Sequence, residues 1–245
     1  MDETGHTTTD KTAIRNAATV IVMRDAPHAP KVLMGQRGAS AAFMPSKFVF
    51  PGGAVDLADA QVPLAAPINA TCAETLRARA PQDFGHALAV AAIRELWEET
   101  GLVLGQRGDW DSAPPADWQG FARTGYVPSA ESLRFVFRAV TPPGRPRRFD
   151  ARFFLIDAGA IASDLDDFSA ASDELSHLQW IALEDVRKFD LPFITEVVLA
   201  EVAGRARGTP QAEAGGSVPF FLNTEEENLF LRLRGRSPME AALQT

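Results

Sequence analysis

The segment from Phe84 to Gly101 constrains this chain more than any other. Its apolar residues recur with the period of a helix, so that Ala89, Ala92, Ile93, Leu96 and Trp97 fall on one face and Glu95, Glu98 and Glu99 on the other. Asp83 is placed to cap its start and Gly101 to end it. A helix with one apolar stripe must bury that stripe against a sheet or another helix. Its acidic face sets a second constraint. Like charges three and four residues apart disfavour a helix by roughly 0.2–0.5 kcal/mol each, and these three crowd the C-terminal turn, where the helix dipole is negative. The pattern predicts a positive partner. Clustered carboxylate oxygens suit Mg²⁺ or Mn²⁺; Zn²⁺ would require Cys or His ligands that are not there. Arg94 is placed to hold one carboxylate from behind. The competing reading is an ordinary solvated acidic face.

Around this helix the chain reads as strands. Ala17 to Met23 and Lys31 to Arg37 form a hairpin across a Pro-containing turn, and Lys47 to Phe50 runs into Pro51-Gly52-Gly53, which predicts a sharp turn. Residues 54–85 change character, rich in Ala, Pro and Asp with one helix near Thr71 to Ala80, and read as an insertion. Further strands are expected at Leu102 to Leu104, Leu133 to Val140, Phe149 to Ile156 and Leu178 to Ile181. A short helix is expected within Asp109 to Arg123, and a longer one from Leu183 to about Arg207, broken near Leu191-Pro192. Strands, a central helix, more strands and a final helix predict a mixed sheet covered by a few helices, an α+β sandwich. The expected bounds are a disordered N-terminus at 1–12, a domain at 13–207 and a linker with a polar C-terminal extension at 208–245, where Glu225-Glu226-Glu227 lies.

Charge narrows the partners. With 24 Lys and Arg against 32 Asp and Glu, the net charge of −8 argues against binding nucleic acid through its phosphates. One cysteine, Cys72, forms no internal disulfide and reads as an apolar filler. No apolar run reaches the roughly 18 residues of a membrane span, and the polar start does not resemble a secretory signal. The expectation is a cytoplasmic protein with a small-molecule partner, no nucleic acid and no membrane; a homodimer is admitted.

Arg94-Glu95-Leu96-Trp97-Glu98-Glu99-Thr100-Gly101-Leu102 matches R-E-U-x-E-E-x-G-U, with U aliphatic, at every fixed position. The chain therefore resembles a Nudix hydrolase. The resemblance implies an α/β/α sandwich with a mixed sheet, in which Glu95, Glu98 and Glu99 hold Mg²⁺ or Mn²⁺ and the turn at Gly52 and Gly53 adds a backbone carbonyl. In the first half of the family pattern, G-x5-E-x7-R-E, counting from Gly53 places Asp59 at the acidic position, whereas counting back from Arg94 places His86 there. Arg94 lies 27 residues beyond the place the pattern assigns it, so the insertion sits inside the motif.

Phe50-Pro51-Gly52-Gly53-Ala54-Val55-Asp56-Leu57-Ala58-Asp59 matches F-P-G-G-x-x-D-x-x-D, and Val32 to Arg37 is similar to the start of the coenzyme A signature. This resembles the coenzyme A and acyl-CoA diphosphatase branch, with Ser46 where a Gly is expected and Ala42 where a basic residue is expected. The enlarged motif, and the strand carrying Arg147, Arg148 and Arg152, are similar to acyl-CoA members. Those arginines, with Arg37, are candidate phosphate donors; edge-strand charges are the alternative. Glu174, ahead of the Trp180 strand, corresponds to a base or further metal ligand. The implied function is metal-dependent hydrolysis of CoA or acyl-CoA to adenosine 3′,5′-bisphosphate and (acyl-)4′-phosphopantetheine, with Glu95 or Glu174 accepting the proton. The alternatives are another nucleoside diphosphate substrate (ADP-ribose, NADH or a dinucleotide) and a non-catalytic ligand-sensing domain. A sensing domain predicts a degraded glutamate set, and here the set is intact.

Overall fold

The computed structural model describes residues 13–26, 28–41, 43–80, 83–207, 217–224 and 228–233. The expectations for 1–12, for Ala42, for 208–216 of the linker, for Glu225 to Glu227 and for 234–245 lie outside these residues.

The centre of the sheet is β1 (Ile14–Arg24), whose residues alternate between two cores. Ala18, Val20 and Val22 face one helix layer and Ile21 and Met23 the other, as a period of two requires. β2 (Lys31–Arg37) pairs antiparallel with the end of β1, and β3 (Phe48–Val49) pairs with β2. β4 (Gly52–Ala54) returns to pair with Ala17, Ala18 and Thr19 of β1. The expected turn at Pro51-Gly52-Gly53 is thus a short strand laid along β1. Its glycines are required by proximity, since a Cβ on Gly52 would stand 2.5 Å from the Ala18 carbonyl oxygen.

The insertion holds a 3-10 turn at Leu57–Gln61 and α1 (Ala70–Arg77), close to the expected helix. α2 (Gly85–Thr100) ends at Gly101 in the left-handed conformation, φ 74°. Asp83 stands one residue ahead of the cap position but acts as expected, accepting the Gly85 N–H at 3.1 Å. Leu102 to Leu104 does not form the expected strand. These residues are buried and bond to loops, with Val103 and Leu104 carbonyls accepting from Ala162 and Ser129. The strand lies just beyond, as β5 (Gly105–Arg107), and makes a separate two-stranded sheet with β6 (Tyr126–Pro128) across α3 (Gln119–Ala122).

β7 (Arg134–Val140) and β8 (Arg148–Asp157) pair antiparallel, and β8 runs parallel to the whole of β1. β9 (Leu175–Ala182) pairs with β2, and α4 (Phe193–Ala206) starts after Pro192, where the break was expected. α1 and α2 cover one face and α4 the other, giving the α/β/α sandwich.

The C-terminal extension is where the fold departs most from expectation. β10 (Val218–Asn223) and β11 (Asn228–Leu233) form a hairpin, and β10 pairs parallel with β7. The segment read as a polar tail completes the sheet. Phe220 is buried under the Arg138 guanidinium, 4.3 Å from its ring centre, and the Asn223 side-chain amide donates to the Val140 carbonyl at 2.7 Å. The signal was available: two apolar runs flank an Asn- and Glu-containing turn, which is a hairpin pattern. If the hairpin belongs to the cooperative unit, Phe220→Ala lowers the unfolding free energy by about 3 kcal/mol in a urea titration. A midpoint equal to that of the parent would detach the hairpin from the domain.

Candidate active site

The three glutamates lie in the last two turns of α2, and the structure shows what answers their charge. Arg94 is buried, with 8% of its side chain exposed, and its guanidinium serves four groups. Nε and Nη2 donate to the two oxygens of Asp59 at 2.9 and 3.1 Å. Nη2 also reaches the Ala54 carbonyl at 2.9 Å, while Nη1 reaches Glu95 Oε1 at 2.8 Å and Glu98 Oε2 at 3.1 Å. Burial works against the charge on Arg94, but the Asp59 bond and the fields of Glu95, Asp59 and Glu98 outweigh it and hold the group protonated.

Asp59 is the acidic residue of this arrangement. It is 1% exposed, and besides the Arg94 fork its Oδ2 accepts the Asp56 backbone N–H at 2.8 Å. Of the two positions counted from the sequence, the structure selects the one measured from Gly53. His86 bonds instead to the Val62 carbonyl at 2.9 Å, within the insertion. The D-x-x-D spacing thus has a local use: the turn it makes aims Asp59 at Arg94.

Gly53 lies against Glu95, and a Cβ there would stand 2.4 Å from a carboxylate oxygen. The Gly52 N–H donates to Glu99 Oε2 at 2.7 Å. Burial pushes Glu95 up to about 7, opposed by Arg94 and assisted by Glu98 and Glu174. Burial pushes Glu99 up to about 8, opposed by the Gly52 amide and Arg37 and assisted by Glu95. Glu98, more exposed, is also raised, first by burial. Glu174 stands exposed in the turn before β9, near enough for its charge to act on Glu95 and Glu99. That turn is tied to the helix by the Ser172 N–H, which donates to the Glu98 carbonyl at 2.7 Å.

Among the described residues no three His, Cys, Asp or Glu side chains converge ready-made on one metal position; Arg94 draws Glu95 and Glu98 toward itself. Two further observations fit a cation. Glu99 Oε1 is buried with no hydrogen-bond partner, and the surrounding donor set is all oxygen, as Mg²⁺ and Mn²⁺ prefer.

The candidate phosphate donors divide. Arg37, at the end of β2, is half-buried, acts electrostatically on Glu99, and has its Nε buried without a partner. Arg152 is a correction: it is 1% exposed and bonds to Asn16 Oδ1 at 2.6 Å and to Asp150, with Arg138 alongside. Burial, then the neighbouring Arg138, lower its pKa to about 10 against the opposing Asp150. Arg148 is likewise committed, donating to the Thr141 and Asn223 carbonyls. These two arginines join β7, β8 and β10. The fold uses Arg152 Nη1 and the Arg148 Nε and Nη2, while Arg152 Nε is buried without a hydrogen-bond partner; alternate residues of β8 face the core. Arg147 is exposed.

Ser46, where the coenzyme A signature has Gly, takes φ 60°, the backbone conformation that favours glycine, and its carbonyl accepts from Gln36 at 2.9 Å.

Residues 14–202 match the NUDIX domain family. The chain is 29% identical over 178 residues to the putative nudix hydrolase 7 of Caenorhabditis elegans, covering 68% of this chain and 51% of that protein. It is 28% identical over 207 residues to the acyl-coenzyme A diphosphatase NUDT19 of Gallus gallus, covering 58% of this chain and 54% of that protein. The chain thus spans about half the length of these curated relatives. A NUDIX hydrolase from Alicyclobacillus acidocaldarius superposes with a TM-score of 0.56 at 29% identity, over 77% of this chain and 90% of that one.

Two measurements check this site. Asp59→Asn, which removes one partner of a buried ion pair, lowers stability by about 3 kcal/mol, while His86→Gln has a much smaller effect; an inverted order would give the acidic position to His86. Because the folded state raises Glu95 and Glu99 above the ordinary carboxylate range, it favours their protonated forms. The metal-free protein is then most stable below that range and loses stability as pH rises through about 7 to 8. In chelator the Tm falls by about 5 °C between mildly acidic and mildly alkaline buffer, and Mg²⁺ restores more at the alkaline end. A Tm that is flat with pH and indifferent to Mg²⁺ would contradict the buried-carboxylate account.

Proposed function

This chain belongs to the Nudix family, and we propose that it is a hydrolase that cleaves the diphosphate of coenzyme A or an acyl-CoA. The observation that carries the hydrolase reading is a pair of unmatched atoms. Glu99 Oε1 is a buried acceptor without a donor, and Arg37 Nε is a buried donor without an acceptor, on side chains close enough for Arg37 to shift Glu99. Unpaired buried polar groups are costly. A cation beside Glu99 and a phosphate oxygen beside Arg37 would satisfy both, which is what a metal-bound diphosphate offers.

In this reading Glu95, Glu98 and Glu99, with a backbone carbonyl at Gly52 or Gly53, hold Mg²⁺ or Mn²⁺. When bound, the ion would supply neutralising charge for the diphosphate and would acidify water. The chain does the rest. Arg37 binds a phosphate oxygen; Arg147 is the remaining exposed donor among the β8 candidates. Arg94 and Asp59 keep Glu95 and Glu98 from swinging apart, so the carboxylates meet the substrate already oriented. Water forms the new P–O bond, the bridging P–O bond breaks, and Glu95 or Glu174 takes the proton from the attacking water. Glu174 is the better placed for proton exchange with solvent, since it is exposed while Glu95 is nearly buried.

The coenzyme A assignment draws on the Phe50 to Asp59 motif and on the Gallus gallus relative, which is named as an acyl-coenzyme A diphosphatase. The test is product release from CoA, acyl-CoAs, ADP-ribose, NADH and dinucleotides, with Mg²⁺, Mn²⁺ or chelator. The expected result is metal-dependent cleavage favouring CoA species. Glu98→Gln should lower turnover at least about 100-fold with an unchanged circular dichroism spectrum. Preference for another substrate would discard the coenzyme A assignment, and full activity of Glu98→Gln would discard the metal role.

A further inference from the structure

β11 is the outermost strand at one end of the sheet and pairs, among the described residues, with β10 alone. Free strand edges recruit other strands, and proteins blunt them with proline, bulges, short length or charged side chains. β11 has little of this protection. It runs for 6 residues without proline and keeps an unbroken register with β10. Its one charged residue, Arg232, is turned back onto its own chain, to Ser217 Oγ at 3.2 Å and toward Glu201.

Pro219 decides which groups the edge offers. It has no N–H, so its pair with Arg232 exchanges no hydrogen bonds, and the same holds for the alternate pairs Phe221 with Phe230 and Asn223 with Asn228. The backbone N–H and C=O groups of Asn228, Phe230 and Arg232 therefore point outward.

A second β11 answers these groups. Laid antiparallel and centred on Phe230, it sets Phe230 opposite Phe230 and Asn228 opposite Arg232, each pair exchanging both N–H···O bonds. Leu229 then lies opposite Leu231 on the other face. The same register continues an aromatic row: Phe193, 68% exposed, has its ring centre 6.4 Å from that of Phe221, which lies 6.1 Å from that of half-buried Phe230. The row stops at the edge, where a second Phe230 would extend it. Charge along the sequence favours this direction. Glu225 to Glu227 precede β11, while Arg232, Arg234 and Arg236 end and follow it, so antiparallel copies meet opposite charge and parallel copies like charge. We propose that two copies of this chain associate through β11, antiparallel about Phe230, joining their sheets into one. This association is independent of the hydrolase reading.

The test is sedimentation of the full chain over a range of concentrations, with cysteine cross-linking to fix the register. Half-dissociation is expected between about 1 and 100 µM, because one strand pair and an aromatic row make less than a standard interface. Asn228→Pro removes an outward N–H and no bond of the hairpin, so it should weaken association at least about tenfold with an unchanged urea midpoint. Phe230→Cys should cross-link to its own copy with a short thiol reagent, as should an equal mixture of Asn228→Cys and Arg232→Cys chains. Arg232→Cys alone should not, since its copy lies roughly 14 Å along the strand. Cys72 is buried, which makes the parent chain the control. A monomer at every concentration up to about 100 µM, association indifferent to Asn228→Pro, or self-cross-linking of Arg232→Cys in place of Phe230→Cys would each overturn the assignment.

Discussion

The buried fork of Arg94 is the interaction on which the rest of this structure depends. A single guanidinium receives Asp59 from the insertion, the Ala54 carbonyl from the strand beside β1, and Glu95 and Glu98 from its own helix. Only a planar group with five donors can serve partners arriving from three segments, and lysine offers no such geometry. The arrangement resolves the conflict posed by a helix that ends in three carboxylates. The repulsion is met from inside the protein by one cation, while Glu99 Oε1 remains without a partner.

The insertion is integral to this arrangement. Its first turn carries Asp59 into the Arg94 fork, and its helix packs Cys72 and Leu76 into the same core as Leu88 and Ile93. Arg138 then receives the Ala78 and Arg79 carbonyls where α1 ends, and pairs with Asp150. The arginines of the sheet therefore hold the insertion and the C-terminal hairpin to the domain. Burial, with Arg138 beside it and against the opposing Asp150, explains why Arg152 loses part of its affinity for protons.

Close approach does for β4 what charge does for Arg94. Gly52 passes within contact of the Ala18 carbonyl, and Gly53 passes against Glu95, so any side chain at either position would displace backbone or carboxylate. That proximity lets the Gly52 amide bond Glu99 and brings backbone carbonyls beside the acidic cluster. The raised pKa values of Glu95 and Glu99 follow from the same compactness, since burial is the largest cause of both.

Much was legible in the sequence because it is local. The helix from Asp83 to Gly101, its acidic face, the hairpin of β1 and β2, and the family motif at Arg94 to Leu102 each depend on spacing along one segment. The sequence also offered both Asp59 and His86 for the acidic position, and spacing had no means of choosing between them. That choice needed the fold, because Asp59 reaches Arg94 across 35 residues. The arginines of β8 needed it too. Forked donors look alike whether they face a phosphate or a buried aspartate, and only the sheet's packing turned Arg152 inward. The extension escapes a local reading for a related reason: β10 finds its partner in β7, about 80 residues earlier. Periodicity and chemistry along the chain determined what the elements are and which residue types the site has; the meeting of distant segments decided which arginine and which carboxylate do the holding, because burial and hydrogen-bond direction exist only once the segments have packed.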